Sequence, residues 1–203
     1  MNESIVWLRE GATGKPVQAS LFDEISDEHL LLWSTTWSPE MKRYVAANPP
    51  SDRPEDSHWN WRLKSLSSAG LLSCHSFSLL CNGELQALMI ARDLASAKLQ
   101  GQFGLPLVHI EFVATAPWNR PEFQQPVRYK GCGRILILAA IEVSRSCGGK
   151  GRIGLHSLPA AEEFYEQKCG MTPLGPDAAH QNLLYFEMTE IQAERFRQNQ
   201  MKP

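Results

Sequence analysis

The stretch "RYKGCGRILILAAIEVSRSCGG", residues 128–149, joins a glycine-containing turn to an apolar segment with helical periodicity. Gly131 and Gly133 lack Cβ atoms, so the backbone there can bend tightly and bring its N–H groups against a ligand. The helix that follows leaves its first N–H groups without intrahelical acceptors and carries partial positive charge at its N-terminus. Three cationic side chains surround the turn: Arg128, Lys130 and Arg134. The stretch therefore predicts a binding site for phosphate or pyrophosphate.

Two common phosphate-binding motifs are incomplete in this stretch. The loop of nucleotide hydrolases requires G-x-x-x-x-G-K-[ST], and the dinucleotide fingerprint requires a third glycine in G-x-G-x-x-G. Leu136 occupies the position of that third glycine. Taken alone, the stretch is equally consistent with an ordinary tight turn whose cations are solvated.

The composition is that of an ordinary globular chain. Its 203 residues can bury one sizeable core, so we expect a single domain over residues 1–203. The formal net charge of −2 gives no general attraction to nucleic acid or to an anionic membrane. The N-terminal segment carries charges inside its only apolar run, so we expect no signal peptide, and no apolar run is long enough to cross a bilayer. We expect a soluble cytoplasmic protein without membrane or nucleic-acid partners, and a homodimer is left open.

The cysteines are scattered and odd in number. They are Cys74, Cys81, Cys132, Cys147 and Cys169. None forms a C-x-x-C pair or stands near a histidine at the spacing of a zinc site. This pattern predicts reduced thiols and no metal centre.

Hydrophobic periodicity and turn residues predict alternating strands and helices. Asn82-Gly83 is a strong signal for a β-hairpin between the second and third strands. Strands are predicted at 4–9, on either side of that hairpin, at 105–117, at 152–157 and at 182–188. Helices are predicted from Ser26 to the "NPP" at 48–50, at 59–66, from 132, at 159–171 and at 190–200.

Four tryptophans crowd into the first two predicted helices. They are Trp33, Trp37, Trp59 and Trp61. Such residues commonly fill a core, and the alternative is a substrate pocket with aromatic walls. Aromatic faces attract cationic amines, so the second interpretation indicates an amine substrate.

The order of the segments resembles the GCN5-related N-acetyltransferase (GNAT) family, which transfers an acyl group from acyl-coenzyme A to an amine. Four stretches carry the resemblance: "LVHIEFVAT" (107–115), "RYKGCG" (128–133), "RIGLHS" (152–157) and "AEEFYEQKCGM" (161–171). The resemblance covers most of the chain and implies an α/β fold in three layers. Its mixed, mostly antiparallel twisted sheet would have helices on both faces. The fourth and fifth predicted strands would splay to admit acetyl-CoA, and no metal would be required.

The resemblance also implies roles for individual residues. The turn at 131–134 would hold the coenzyme A pyrophosphate, and the fourth strand would pair with the pantetheine arm by strand addition. The implied cofactor-binding residues are Phe112, Val113, Ala114, Arg128, Lys130, Gly131, Cys132, Gly133 and Arg134. Tyr165 matches the tyrosine placed near the thioester sulfur as a proton donor. His109 or Glu111, two residues apart on one strand, would serve as the general base.

Three features depart from the family pattern. Residues 115–127 form an elongated loop before the phosphate turn, Leu158 replaces a frequent asparagine, and Met171 replaces a commoner phenylalanine. Ser157 or His156 is the candidate to replace the asparagine contact. The expected acceptor-binding residues are Trp59, Trp61, Trp118 and Asn119.

The predicted activity is transfer of an acetyl group to a primary amine by direct attack, through a tetrahedral intermediate. The acceptor would be a small amine, an amino acid or a peptide amino group. Two alternatives stay open: a toxin-like acetyltransferase acting on aminoacyl-tRNA, and a non-catalytic module that binds acyl-CoA.

Overall fold

The computed structural model describes residues 2–200, except for the side chain of Gln200. The strands are β1 (Glu3–Glu10), β2 (Pro16–Phe22), β3 (Cys74–Cys81), β4 (Glu84–Ser96), β5 (Pro106–Thr115), β6 (Tyr129–Lys130), β7 (Ile153–Ser157), β8 (Thr172–Asp177) and β9 (Leu183–Met188). The α-helices are α1 (Asp27–Leu32), α2 (Ser38–Ala47), α3 (Trp61–Ser68), α4 (Cys132–Ser146) and α5 (Glu190–Gln200).

These residues form two compact units. The first comprises the chain up to Gly70 together with Ser76–Met89 and Val113–Leu136. The second comprises Leu71–His75, Ile90–Phe112 and the chain from Ile137 onward. Strands β3, β4 and β5 and helix α4 each have residues in both units.

In the first unit the strand order is β6-β1-β2-β3-β4. Strand β1 is antiparallel to both β2 and β6. Asn82 and Gly83 have φ angles of 53° and 75°, the positive values that a tight hairpin turn requires, and this confirms the predicted hairpin. Strand β2 was not predicted, because Gln18 and Ser20 make its sequence polar. It forms because it pairs with β1.

The helix predicted from Ser26 is interrupted by a π-helical segment at Trp33–Trp37. Its start is a capping box, in which the Ser26 hydroxyl accepts from the His29 N–H and His29 Nδ1 accepts from the Ser26 N–H, each at 3.2 Å. Within the π segment the Thr36 hydroxyl donates to the Leu32 carbonyl at 2.6 Å. Such wide turns are rare and are frequently found at functional sites.

In the second unit the order is β5-β7-β9-β8, with β5 and β7 parallel and the other pairs antiparallel. The loop predicted between residues 172 and 181 is wrong over its first half, because β8 occupies it. The sequence does not predict this strand because it contains Pro173, Gly175 and Pro176, which are typical of loops. Prolines are tolerated in β8 because it is an edge strand. The helix predicted at 159–171 is a 3₁₀ turn at Pro159–Ala161 followed by a π-helical turn at Phe164–Lys168.

Strands β5 and β7 pair only briefly. Their parallel ladder covers three residue pairs, from Val108↔Ile153 to Ile110↔Leu155. Strand β7 continues to Ser157 beyond the last pair. Within the second unit the ladder therefore ends at Ile110 and Leu155, before the carboxyl end of β7, and the splay that the resemblance implies stays a prediction.

The architecture is mixed α/β, with a mostly antiparallel open sheet flanked by helices, and this confirms the expected fold class. Among residues 2–200, no helix combines the length and apolar character needed to traverse a bilayer.

Candidate functional site

The predicted phosphate turn combines a glycine of positive φ with the start of helix α4. Gly131 has a φ angle of 100°, in the region that side chains with a Cβ rarely adopt. Its carbonyl accepts the N–H of Ile135 at 3.1 Å, and helix α4 begins at the next residue, Cys132. Helix geometry leaves the N–H groups of this first turn without intrahelical acceptors and at the positive end of the helix dipole.

Asn119 supports this turn through two side-chain hydrogen bonds. Its side-chain oxygen accepts the N–H of Tyr129 at 2.9 Å, and its amide donates to Gln86 Oε1 at 2.9 Å. Gln86 is completely buried, and Trp118 Nε1 donates to the same oxygen at 2.8 Å. Asn119 and Trp118 were predicted to bind the acceptor. The structure places both side chains in the hydrogen-bonded support of the phosphate turn.

The side chains of the phosphate turn differ in burial and in their partners. The Cys132 thiol is buried, which raises its pKa to about 12 and keeps it from acting as a thiolate nucleophile. Arg128 forms an ion pair with Glu84, and its guanidinium lies 4.7 Å from the centre of the Trp118 ring. Lys130 is exposed. The backbone and Lys130 therefore remain the most direct groups for an anion, while Arg128 already has a carboxylate partner.

A cleft of about 220 Å³ opens beside the tryptophans of the first unit. It is lined by Trp33, Trp37, Ser38, Met41, Lys42, Asp56, Ser57, His58, Trp59, Asn60, Trp61, Ala114, Pro117 and Arg120. Trp37 and Trp61 are only 3% and 2% exposed, so they serve the core and the cleft wall together. Trp118 is not among the lining residues. Ala114 brings the end of β5, a predicted pantetheine-contacting segment, to the same cleft.

An ion pair with little solvent exposure lies in the wall of this cleft. The guanidinium of Arg120 donates both terminal nitrogens to the Asp56 carboxylate, at 2.8 and 2.6 Å, and its Nε donates to the Thr115 carbonyl at 2.9 Å. The two side chains are 14% and 9% exposed. Bidentate geometry of this kind fixes the loop after β5 in place.

Tyr165, the predicted proton donor, lies in the π-helical turn of the second unit. Its side chain is 6% exposed, and its ring centre is 6.0 Å from that of Phe186. Burial raises the pKa of its hydroxyl far above the usual value of 10. The phenol is therefore protonated at neutral pH, which a donor must be.

The two predicted bases have different partners. His109 Nε2 lies 3.2 Å from Nδ1 of His156, and burial lowers the pKa of His109 to about 4. The carboxylate of Glu111 lies 2.6 Å from Nε of Arg92, and its side chain is 25% exposed. His109 is therefore a weak base, and Glu111 is the one that solvent reaches more easily.

His156 belongs to a cluster that the sequence analysis missed. Asp177 Oδ2 lies 3.0 Å from His156 Nε2, 3.2 Å from His180 Nδ1 and 2.9 Å from the Lys98 ammonium. These contacts hold the pKa of Asp177 well below its usual range, with Lys98 the largest cause. The sequence spacing of Lys98, His156 and Asp177 does not reveal this cluster. His156 and Asp177 meet only because β7 and β8 both pair with β9.

Ser157 and His156, the candidates to replace the asparagine contact of the family, both have hydrogen-bond partners within the protein. The Ser157 hydroxyl donates to the carbonyl of Leu158 at 2.8 Å, and His156 is engaged in the cluster just described.

Comparison by sequence finds neither a matching family model nor a matching curated protein. Comparison by structure finds acetyltransferases. The GNAT domain of PAT from S. lividans is 16% identical, with a TM-score of 0.51, covering 92% of this chain and 96% of that one. An acetyltransferase from Salmonella typhimurium that modifies the N-terminal serine of a 50S ribosomal subunit protein is 11% identical, with a TM-score of 0.52, covering 84% and 94%. A bacterial toxin is 17% identical, with a TM-score of 0.51, covering 79% and 88%. The chain thus has the fold of the GCN5-related N-acetyltransferase superfamily.

Proposed function

We propose that this protein is an N-acetyltransferase that transfers the acetyl group of acetyl-CoA to a primary amine. The single observation that carries the proposal is the turn at Gly131. Its positive φ angle and the start of α4 present several backbone N–H groups at the position where the resemblance expects the pyrophosphate. Asn119 and buried Gln86 hold that turn rigidly, which favours binding because little order is lost.

The aromatic cleft is the proposed acceptor site. Its volume of about 220 Å³ corresponds to roughly seven water molecules, which suits a small amine or one amino-terminal residue. Trp33 lines the cleft with an aromatic ring that suits a cation, whereas the Trp59 ring already has the Lys64 ammonium 4.4 Å from its centre. Ala114 brings the proposed cofactor strand to the cleft wall.

The proposed chemistry follows from the reaction itself. The amine nitrogen attacks the thioester carbonyl, and a tetrahedral intermediate forms and loses the amine proton. The C–S bond then breaks, and the coenzyme leaves as a thiolate that takes a proton from solvent. Tyr165 is protonated and is proposed to donate a hydrogen bond to the departing sulfur. Glu111 is proposed to accept the amine proton through solvent, because the lowered pKa of His109 makes that histidine a poor base and its Nε2 faces His156.

The first test is a calorimetric titration of the purified chain with acetyl-CoA and, in parallel, with acetylpantetheine. We expect binding of acetyl-CoA in the micromolar range, about 8 kcal/mol. Acetylpantetheine lacks the pyrophosphate and should bind far more weakly. Equal affinity for the two ligands would remove the role of the Gly131 turn.

The second test measures thiol release from acetyl-CoA in the presence of a panel of amines. We expect turnover with at least one small or amino-terminal amine, and a lower kcat in Glu111→Gln with an unchanged affinity for acetyl-CoA. Tight binding without turnover on any amine would instead identify a non-catalytic acyl-CoA-binding module.

A further inference from the structure

The cluster at the end of β8 contains three potential metal ligands. They are Nε2 of His156, Oδ2 of Asp177 and Nδ1 of His180. All three atoms lie within 4.8 Å of one another. Two imidazoles and one carboxylate form the ligand set of many open zinc sites, in which the fourth position holds water or substrate.

The distances between these atoms fit a tetrahedral ion. Metal–nitrogen and metal–oxygen bonds of about 2.1 Å place neighbouring ligand atoms roughly 3.3 Å apart. Asp177 Oδ2 is 3.0 Å from His156 Nε2 and 3.2 Å from His180 Nδ1. The rings of His156 and His180 are stacked, with centres 3.8 Å apart and an interplanar angle of 15°. The half-exposed His180 ring must therefore turn to direct its Nδ1 lone pair at the ion.

The orientation of His156 is fixed from its other side. Its Nδ1 lies 3.2 Å from Nε2 of His109, and its Nε2 lies 3.0 Å from Asp177, to which it donates when no ion is bound. With an ion on Nε2, the proton of His156 moves to Nδ1, which then donates to His109. Metal-binding histidines usually make such an outer hydrogen bond, which sets the tautomer and the ring plane. The second oxygen of Asp177 is also held, since its Oδ1 accepts the N–H of Ala179 at 3.0 Å.

A cation already lies against this carboxylate. The Lys98 ammonium is 2.9 Å from Asp177 Oδ2, and its side chain is 51% exposed. A half-exposed lysine can turn into solvent at little cost, since exposed ion pairs contribute little. Lys98 therefore competes with the ion for the Asp177 carboxylate.

We propose that His156, Asp177 and His180 form an open site for a divalent transition metal of the zinc type, with His109 as the outer positioning residue. The ion ties the end of β7 to the end of β8 within the second unit. The sequence alone predicts no metal centre, because none of its cysteines has the spacing of a zinc site. This proposal is independent of the proposed acetyltransferase activity.

A similar trio, His75, Asp93 and Cys147, lies elsewhere in the second unit and must be separated from the first. The experiment therefore uses metal-free Cys147→Ser protein beside the unmodified chain. Each is titrated calorimetrically with Zn²⁺, and with Co²⁺ while visible absorption is recorded. Tetrahedral cobalt gives an intense visible spectrum that a stability change alone does not produce.

We expect one equivalent of Zn²⁺ to bind Cys147→Ser protein with a Kd of about 10 µM or tighter. His180→Ala and Asp177→Asn should each weaken binding more than about tenfold, and His109→Leu by about 10- to 100-fold. His109→Gln, whose carbonyl can still accept from His156, should bind better than His109→Leu. Lys98→Met should bind Zn²⁺ more tightly than the parent chain does. His75→Ala should bind Zn²⁺ with the same affinity as the parent chain.

His180 is half-exposed, so its replacement leaves the fold intact. Binding that vanishes in Cys147→Ser, or that survives in both His180→Ala and Asp177→Asn, overturns the proposal. Absence of Zn²⁺ binding in the unmodified chain overturns it as well.

Discussion

Replacing Gly131 with alanine tests the phosphate turn without adding a steric clash. The φ angle of Gly131 is 100°, and a Cβ built there meets only Leu8 Cδ2, at 3.8 Å. The cost is therefore conformational, about 1–3 kcal/mol for a residue with a Cβ in this region. A lower entropy of the unfolded chain offsets roughly 0.4–1 kcal/mol of it. We expect a net loss of about 1 kcal/mol in the free energy of unfolding.

The same substitution should weaken acetyl-CoA binding, because the turn can relieve its strain only by rotating its N–H groups. A hydrogen bond to a charged group contributes about 1.5–3 kcal/mol. Losing one such bond to the pyrophosphate corresponds to roughly a 10- to 100-fold increase in Kd, since each factor of ten is about 1.4 kcal/mol. Calorimetric titration measures Kd, and urea denaturation measures stability.

Gly70→Ala is the matched control. Gly70 has a φ angle of 76° and nothing lies within 4 Å of its added Cβ, so the conformational cost is similar. We expect a similar loss of stability with acetyl-CoA affinity unchanged. A Kd for Gly131→Ala within twofold of the parent chain would refute the assignment, and so would an equal loss of affinity in Gly70→Ala.

Three further predictions concern the other residues. Tyr165→Phe should lower kcat by roughly tenfold or more while the Kd for acetyl-CoA stays the same, and full activity in a thiol-release assay would end the donor role. Asp56→Asn should lower the free energy of unfolding by about 3 kcal/mol, because it leaves Arg120 buried without its carboxylate. The double variant Asp56→Asn with Arg120→Met should recover part of this loss in urea denaturation. If the stability losses of the two single variants simply add, the ion pair does not contribute as described. His109 has its pKa lowered to about 4 from 6.5 in the unfolded chain, so its neutral form is favoured by folding. Its contribution is complete above pH 6.5 and decreases as the pH falls toward 4, by at most about 3 kcal/mol. His109→Gln should flatten the pH dependence of stability over that range, and an unchanged profile would show that His109 is not buried as described.

Turn and helix-start residues carried most of the fold prediction, because their constraints are local. Asn82-Gly83 predicts its hairpin since only residues that tolerate positive φ can occupy those two positions. Gly131 likewise predicts the start of α4, where the apolar periodicity begins. Such features depend on a few neighbouring residues, so a single sequence contains the information.

The missed elements depend on partners that are distant in the chain. Strand β8 contains two prolines and is stable only because β9 lies beside it in an antiparallel ladder. The contacts of Asn119 to Tyr129 and Gln86, which support the phosphate turn, were also not predicted. These contacts link residues 10 and 33 positions apart, a separation that no periodicity reports.

The sequence by itself determined the class of fold and the position of the candidate phosphate turn, since both follow from local backbone preferences and hydrophobic periodicity. Only the tertiary structure decided which side chains share a site. His156 and Asp177 meet because β7 and β8 flank β9, and the ladder register, not the spacing in the chain, sets the 3.0 Å contact between them. The same packing shifts their pKa values: burial lowers the pKa of His156, and the contacts with Lys98 and His156 lower that of Asp177.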